Sequence, residues 1–337
     1  MLLRKPNGNG LLHWGSLLAF VWLAVLMAGT ASGLRAEEVV AQKGDGIYSL
    51  LRRHGLDPEA YLGEFRRLNS GRMGPGDSLV QGHKYQLPGG SREISEPLFG
   101  SKYATVERLD DALEGAVIYL VSGHGGPDPG GMGKLDGHTL SEDEYAYDVM
   151  LRFGRRLMEH GAKVHFIIKD LNDGIRDERF LRPDADEVSY WGARIPANQK
   201  ARLQQRVDVV NSLYRKDRAS DYRRCFALHV DARPKAQDID IFFYYQSGNV
   251  VGKRLAQTLR DTIRQNYREN QPGRGYEGSV TTRGLYVLNK CDAPLVFMEL
   301  GNIHHARDQV RLVEANNRQA IANWLCEGVI ADFKRSR

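Results

Sequence analysis

The sequence predicts an α/β protein: a mostly parallel sheet flanked by helices, preceded by a small βααβ module. Three observations carry this. From residue 115 onward, apolar runs alternate with amphipathic helical patterns, which is how a parallel sheet covered on both faces reads. A separate stretch, 38–88, reads strand, helix, helix, strand, and a unit of that size can bury only a small core. The 337 residues are 42% apolar and 26% charged, a balance that supports packed domains rather than a disordered chain.

Taken in order, residues 1–36 are expected to be a secretory signal peptide. Arg4 and Lys5 precede an apolar run, Leu17 to Ala28, and then small residues, Gly29 to Gly33; this is the charged, apolar and small-residue order of export signals. The run is short of the about 20 residues that a membrane span needs. No Cys follows it, so a lipid-anchored form is not expected. In 38–88, Val39–Val40 form the first strand and Gly44–Asp45 a turn. One helix carries Ile47, Leu50 and Leu51, a second carries Tyr61, Leu62, Phe65 and Leu68, and Tyr85–Leu87 close the unit. Residues 89–114, rich in Gly, Ser and charge, read as a linker.

In 115–337 the expected strands are Ala116–Val121, Val164–Ile168, Phe226–Val230, Ile239–Tyr244, Leu285–Leu288 and Leu295–Met298. Helices are expected near 142–160, 197–217, 249–267 and 307–334. Between Asp170 and Ala197 lies a long stretch without clear periodicity, expected to be a lid or binding loop that shapes a substrate groove. Cys225, Cys291 and Cys326 are odd in number and widely spaced, which makes no disulfide framework and no zinc spacing; they read as core residues.

Ligands of such sheets sit beyond the carboxyl ends of the strands, and four chemical groups lie there. The first strand runs into SGHGGPDPGG, residues 122–131, with His124 among glycines that let the backbone turn sharply. A phosphate loop is excluded, because Lys134 is followed by Leu135 rather than Ser or Thr. Ser141 and Glu144 have capping-box spacing, and Tyr145, Val149, Phe153 and Leu157 give the buried stripe of the helix they open. That leaves Glu142 free to point elsewhere. His229 lies near the end of one buried strand, and Glu299 follows four apolar residues of another, where a carboxylate is costly unless paired or bound to a cation. Two His and a Glu from separate segments, with one more Glu, match a catalytic zinc site of the His₂Glu kind, with a coordination position left open. Imidazole and carboxylate ligands point to zinc.

These segments resemble the zinc-dependent N-acetylmuramoyl-L-alanine amidase family (the Amidase_3 type). The resemblance is carried by GHGGPDPG at 123–130, SEDEYAYDV at 141–149, QRVDVVN at 205–211, ALHVDA at 227–232 and VFMELGNI at 296–303, and spans nearly all of 115–335. It implies His124, Glu142 and His229 as zinc ligands and Glu299 as the catalytic acid/base. Asp128 and Asp231 are candidates to orient the ligand imidazoles. The chain departs from the family pattern at Val121, where an Asp is common, and at Asn302 and His305. Residues 38–88 resemble a LysM domain, a peptidoglycan- and chitin-binding module, through Gly44–Asp45, Ile47, Leu50, Gly55, Leu68–Asn69, Leu79, Gly82 and Leu87–Pro88.

The resemblances imply peptidoglycan as the partner, both glycan strands and stem peptides, and no nucleic acid. An activator protein is an open further partner. The location implied is the periplasm or the extracellular cell envelope, with membrane contact only through the export signal. The net charge of +5 suits an anionic polymer of this kind. Two alternatives share parts of the pattern: another exported zinc peptidase, and a non-catalytic peptidoglycan-binding protein.

Overall fold

A computed structural model describes residues 38–54, 56, 58–88, 93–234 and 239–337. The expected signal peptide lies outside the described residues. Among those described, no helix is long and apolar enough to cross a membrane. The chain divides into two compact units, with the boundary at residues 90–91.

The first unit has the expected βααβ order. Strand β1 (Glu38–Val40) leads to helices α1 (Ile47–Arg53) and α2 (Pro58–Leu68), and β2 (Lys84–Gln86) returns antiparallel with Val39 opposite Tyr85. Its core joins Val39, Ile47, Leu50, Leu51, Phe65, Tyr85 and Leu87. Asn69 is fully buried and joins the helices to the sheet: its amide donates to the carbonyls of Phe65 and Gln86 and accepts from Gln86 N. An amide that meets its partners on both sides is affordable inside so small a core.

The second unit begins earlier than the sequence suggests. Residues 89–114 read as a linker, but β3 (Glu93–Ser95) and β4 (Thr105–Glu107) pair antiparallel, and Leu98, Phe99, Val106 and Leu113 are buried in the main core. Pro97 and Gly100 punctuate a turn that wraps onto the domain. Then come β5 (Ala116–Ser122), a hairpin of β6 (Met132–Leu135) and β7 (His138–Ser141), helix α3 (Glu142–Glu159) and strands β8 (Lys163–Phe166), β9 (Ile168–Lys169) and β10 (Val188–Ser189). After them follow α4 (Gln199–Lys216), β11 (Tyr222–Asp231), β12 (Phe242–Tyr245), α5 (Val250–Asn270), β13 (Val280–Thr282), α6 (Tyr286–Lys290), β14 (Leu295–Asn302), α7 (Ala306–Val313) and α8 (Ala315–Ser336).

The central sheet has the order β13-β12-β14-β11-β5-β8. β14, β11, β5 and β8 run parallel, and β12 is antiparallel to β14. The sheet is therefore mixed but mostly parallel. Side chains alternate across it. Phe226, Leu228 and Val230 of β11, with Val296, Met298 and Leu300 of β14, face a core shared with α3, α5 and α8. Cys225, Ala227, Leu295 and Phe297 face the opposite core, shared with α4 and α6. The stripe expected on α3 is fully buried.

Two expectations fail locally. Leu285–Leu288 is not a strand: Tyr286–Lys290 form a one-turn helix, and the edge strand is Val280–Thr282. Four residues hold too little periodicity to separate the two states. The capping box at Ser141 and Glu144 does not form. Ser141 Oγ donates to Pro129 O at 3.1 Å and to Asp143, while Glu144 is taken by Arg176 and by Asp184 N. The cysteines are free, with Cys225 and Cys326 buried and Cys291 half-buried.

Candidate metal centre

Three parallel neighbours deliver the site. β5 ends at Ser122, and His124 stands two residues beyond it. In β11, His229 pairs in register with Glu299 of β14; both follow the alternation that carries Ala227 and Phe297 to the α4 face. Glu142 arrives from α3, whose first turn lies beside the 122–131 loop because Glu142 N donates to Gly131 O at 2.9 Å. The structure thus brings together one ligand atom each from His124, Glu142 and His229, all within 4.8 Å of one another.

The donors are held firmly. Glu142 Oε1 accepts from Val230 N at 3.0 Å and faces His229 Nδ1 at 3.0 Å; Oε2 accepts from Gly131 N at 2.7 Å. The His229 ring lies flat on Phe297, with centroids 4.0 Å apart. His124 Nδ1 is 3.0 Å from Asp128 Oδ2, which also accepts from Arg202 Nη2 at 2.6 Å. The approach is so close that side chains are excluded. A Cβ on Gly123 would fall inside the His229 ring, and one on Gly130 would sit 2.6 Å from Glu142 Oε2 and 2.8 Å from His124 Cγ.

The electrostatics favour a cation at the meeting point. Burial depresses the pKa of His229, which keeps its imidazole neutral. Burial opposes the charge of Glu142, but His229, His124 and the Gly131 N–H outweigh it and hold the carboxyl below its usual range. Asp128 accepts from Nδ1 only if that nitrogen carries the proton. The His124 Nε2 lone pair then faces Glu142 Oε1 at 3.3 Å, acceptor to acceptor, an arrangement that a shared cation stabilises. Two imidazoles and a carboxylate oriented in this way fit a zinc ion.

These groups open into a cavity of about 290 Å³ that also holds Glu299. Glu299 is buried, and its Oε2 has no hydrogen-bond partner. Burial, then Glu142 and Asp231, push its carboxyl well above the usual range, against the pull of Arg283 and Arg233. Arg283 Nη1 stands 3.9 Å from Glu299 Oε1.

Of the two expected orienting carboxylates, Asp128 reaches His124. Asp231 does not reach an imidazole: it accepts from Arg233 N at 2.9 Å and Arg233 Nε at 2.5 Å. The 170–197 stretch contributes no residue to this cavity; Ile175, Leu181 and Ile195 are buried, and Glu187 Oε2 accepts from Gly126 N in the loop that carries His124. His304 and His305 also lie off the cavity. Sequence reasoning missed Arg202 and Arg206, one helical turn apart on α4 and both on the cavity wall. The signal was there in principle, as cations four residues apart on a helix share a face. Arg206 is 3% exposed, and burial pulls its pKa down to about 10.

The chain is similar in sequence to known proteins. The family model described as N-acetylmuramoyl-L-alanine amidase matches residues 118–331. The germination-specific N-acetylmuramoyl-L-alanine amidase of Bacillus subtilis is 24% identical over 222 residues, 66% of this chain and 81% of that protein. Among solved structures, the amidase AmiC2 of Nostoc punctiforme aligns at 20% identity with a TM-score of 0.47, over 66% of this chain and 98% of that one. The CwlD amidase of Clostridioides difficile, solved in complex with the GerS lipoprotein, aligns at 17% identity with a TM-score of 0.48, over 65% and 99%. The chain belongs to the N-acetylmuramoyl-L-alanine amidase family and is an enzyme that cuts an amide of peptidoglycan.

Proposed function

We propose that the amide cut is the one between the lactyl group of N-acetylmuramic acid and L-alanine, with zinc held by His124, Glu142 and His229 and with Glu299 as acid/base. The observation that carries this reading is the convergence of three donor atoms on one cavity that also contains a buried, unpartnered carboxyl oxygen. The chemistry that zinc supplies to such a donor set is Lewis acidity, which polarises a carbonyl and acidifies water.

The chain's own residues do the rest. Asp128, fixed by Arg202, sets the tautomer of His124. Phe297 and the backbone N–H groups of Gly131 and Val230 hold His229 and Glu142 in place before substrate arrives, which is the preorganisation that electrostatic catalysis needs. Glu299 Oε2 takes the proton of the attacking water. It then delivers that proton to the L-alanine nitrogen as the C–N bond breaks, leaving the lactyl carboxylate on the sugar. The raised pKa of Glu299 makes it a stronger base toward the attacking water, and the nitrogen released as the C–N bond breaks is basic enough to take that proton in turn.

Peptidoglycan lies outside the cytoplasm, and so does the work of this enzyme; we place it in the periplasm or the extracellular cell envelope. Residues 38–88 serve in this reading as a glycan-binding module, supported by their βααβ order and independent core. A chain lacking 38–88 is expected to sediment less with insoluble peptidoglycan while cutting soluble muropeptides at the same rate. For the active site, the test is zinc content measured together with release of stems bearing a new N-terminal alanine. Glu299→Gln is expected to retain one zinc per chain and lose at least about a hundredfold in kcat; a fully active variant rules out the assigned role.

A further inference from the structure

Beside the candidate zinc centre, at the start of α3, lies a second group of acids. Asp143, Glu144 and Glu187 are 1%, 2% and 5% exposed. They offer oxygens that all lie within 4.8 Å of one another. Arg176 pairs with Glu144 at 2.8 Å, but among the described residues no cation forms an ion pair with Asp143 or Glu187. Asp143 Oδ1 accepts from Glu144 N at 2.9 Å and from Ser141 Oγ, whereas Oδ2, on this nearly inaccessible side chain, has no partner at all. Arg176 supplies one positive charge to a group of three carboxyls, and carboxylates crowded out of water are strongly unfavourable unless paired or bound to a cation.

We infer that Asp143, Glu144 and Glu187 form a second metal site, built for a hard divalent cation, calcium in particular. The donors are carboxylate oxygens alone, which select hard cations, in contrast to the imidazoles next door. Oxygens bound to calcium at about 2.3–2.6 Å stand up to about 5 Å apart, which spans the separations here. Magnesium, at about 2.0–2.1 Å, demands a tighter and more nearly ideal octahedron than calcium.

The position gives the ion a task. Glu187 comes from the 170–197 stretch, and its Oε2 accepts from Gly126 N at 2.6 Å, in the loop that carries His124. Asp143 and Glu144 immediately follow Glu142. A cation shared by the three therefore clamps the His124 loop, the helix bearing Glu142 and the long connection into one rigid piece. The binding claim itself does not depend on the amidase reading.

The test uses the full zinc-loaded chain in calcium-free buffer, titrated calorimetrically with calcium chloride. One calcium per chain is expected, with a rise of several degrees in melting temperature at saturation. Terbium should luminesce through Tyr147, one helical turn beyond Asp143 in α3. Asp143→Asn and Glu187→Gln are each expected to weaken calcium binding at least tenfold. Should Asp143→Asn misfold, Glu187→Gln, on the connection rather than the helix, decides alone. No calcium uptake at 10 mM, or uptake unchanged in Glu187→Gln, overturns the site. Tighter binding of magnesium than of calcium overturns the choice of ion.

Discussion

Asp128 Oδ2 stands 3.0 Å from His124 Nδ1 and is itself anchored by Arg202 Nη2 at 2.6 Å. The His124 contact and the guanidinium hold the Asp128 carboxyl far below its usual range, against burial, so it remains an acceptor at any working pH. An imidazole that donates through Nδ1 presents Nε2 as its lone pair, and here Nε2 is the nitrogen turned toward Glu142.

Replacing Asp128 by Asn removes the charge that enforces this tautomer. Zinc affinity should fall about 10- to 100-fold, as for other carboxylates behind a ligand imidazole, measured by competition with a chromophoric chelator. Arg202→Gln should show a smaller loss in the same direction. Unchanged affinity in Asp128→Asn removes the orienting role.

Arg283 is the nearest cation to Glu299, at 3.9 Å, and it pulls down a carboxyl pK that burial and two acids push up. If Glu299 must be ionised to accept a proton, activity is lost as pH drops through its pKa. Arg283→Gln removes an opposing influence, so that pKa rises and the acidic limb of kcat/KM moves to higher pH. A limb that stays put or moves to lower pH contradicts the assignment of that limb to Glu299.

Much of this centre was legible in the residues because its signals are local. A His among glycines at a strand end, a first-turn acid, and a polar residue interrupting an apolar strand each mark their place, and strand alternation says which face His229 and Glu299 share. The rest is set by partners distant in sequence. Glu144 has the spacing of a capping box, yet Arg176 and Asp184 outcompete the helix for its oxygens. Asp231 sits two residues from His229, but the Arg233 guanidinium claims it. The hairpin at 132–141 carried a readable sign, Asp136–Gly137, both at positive φ, the dipeptide that tight hairpins favour.

Gly123 makes a sharper test of the geometry than any ligand deletion. Its added Cβ would overlap the His229 ring, and the ring cannot retreat because Phe297 stacks against its face. Gly123→Ala should therefore lose zinc and activity together. Gly71→Ala, where a Cβ meets nothing within 4 Å, should leave both intact. Metal content by atomic absorption, with circular dichroism to confirm folding, checks the pair; a zinc-replete Gly123→Ala chain would show that the loop gives way easily.

Glu187 sets a pH dependence whose sign is unusual for an acid. Burial, followed by the charges of Glu144 and Asp170, outweighs the Gly126 N–H and raises its pKa to about 7, against about 4.3 in an unfolded chain. Between these values the folded protein keeps a proton that the unfolded chain releases. The contribution to stability is therefore complete below about pH 4 and is lost as pH rises toward 7. In calcium-free buffer, the unfolding free energy of the native chain minus that of Glu187→Gln should fall between pH 5 and pH 8. Calcium should reverse the trend, since it binds the ionised carboxylate and stabilises the fold where the proton has left. Urea titrations of both proteins at the two pH values isolate the effect, because every other titrating group cancels in the difference. A difference that is flat or rises with pH in the absence of calcium would mean that Glu187 is ionised in the folded protein without help.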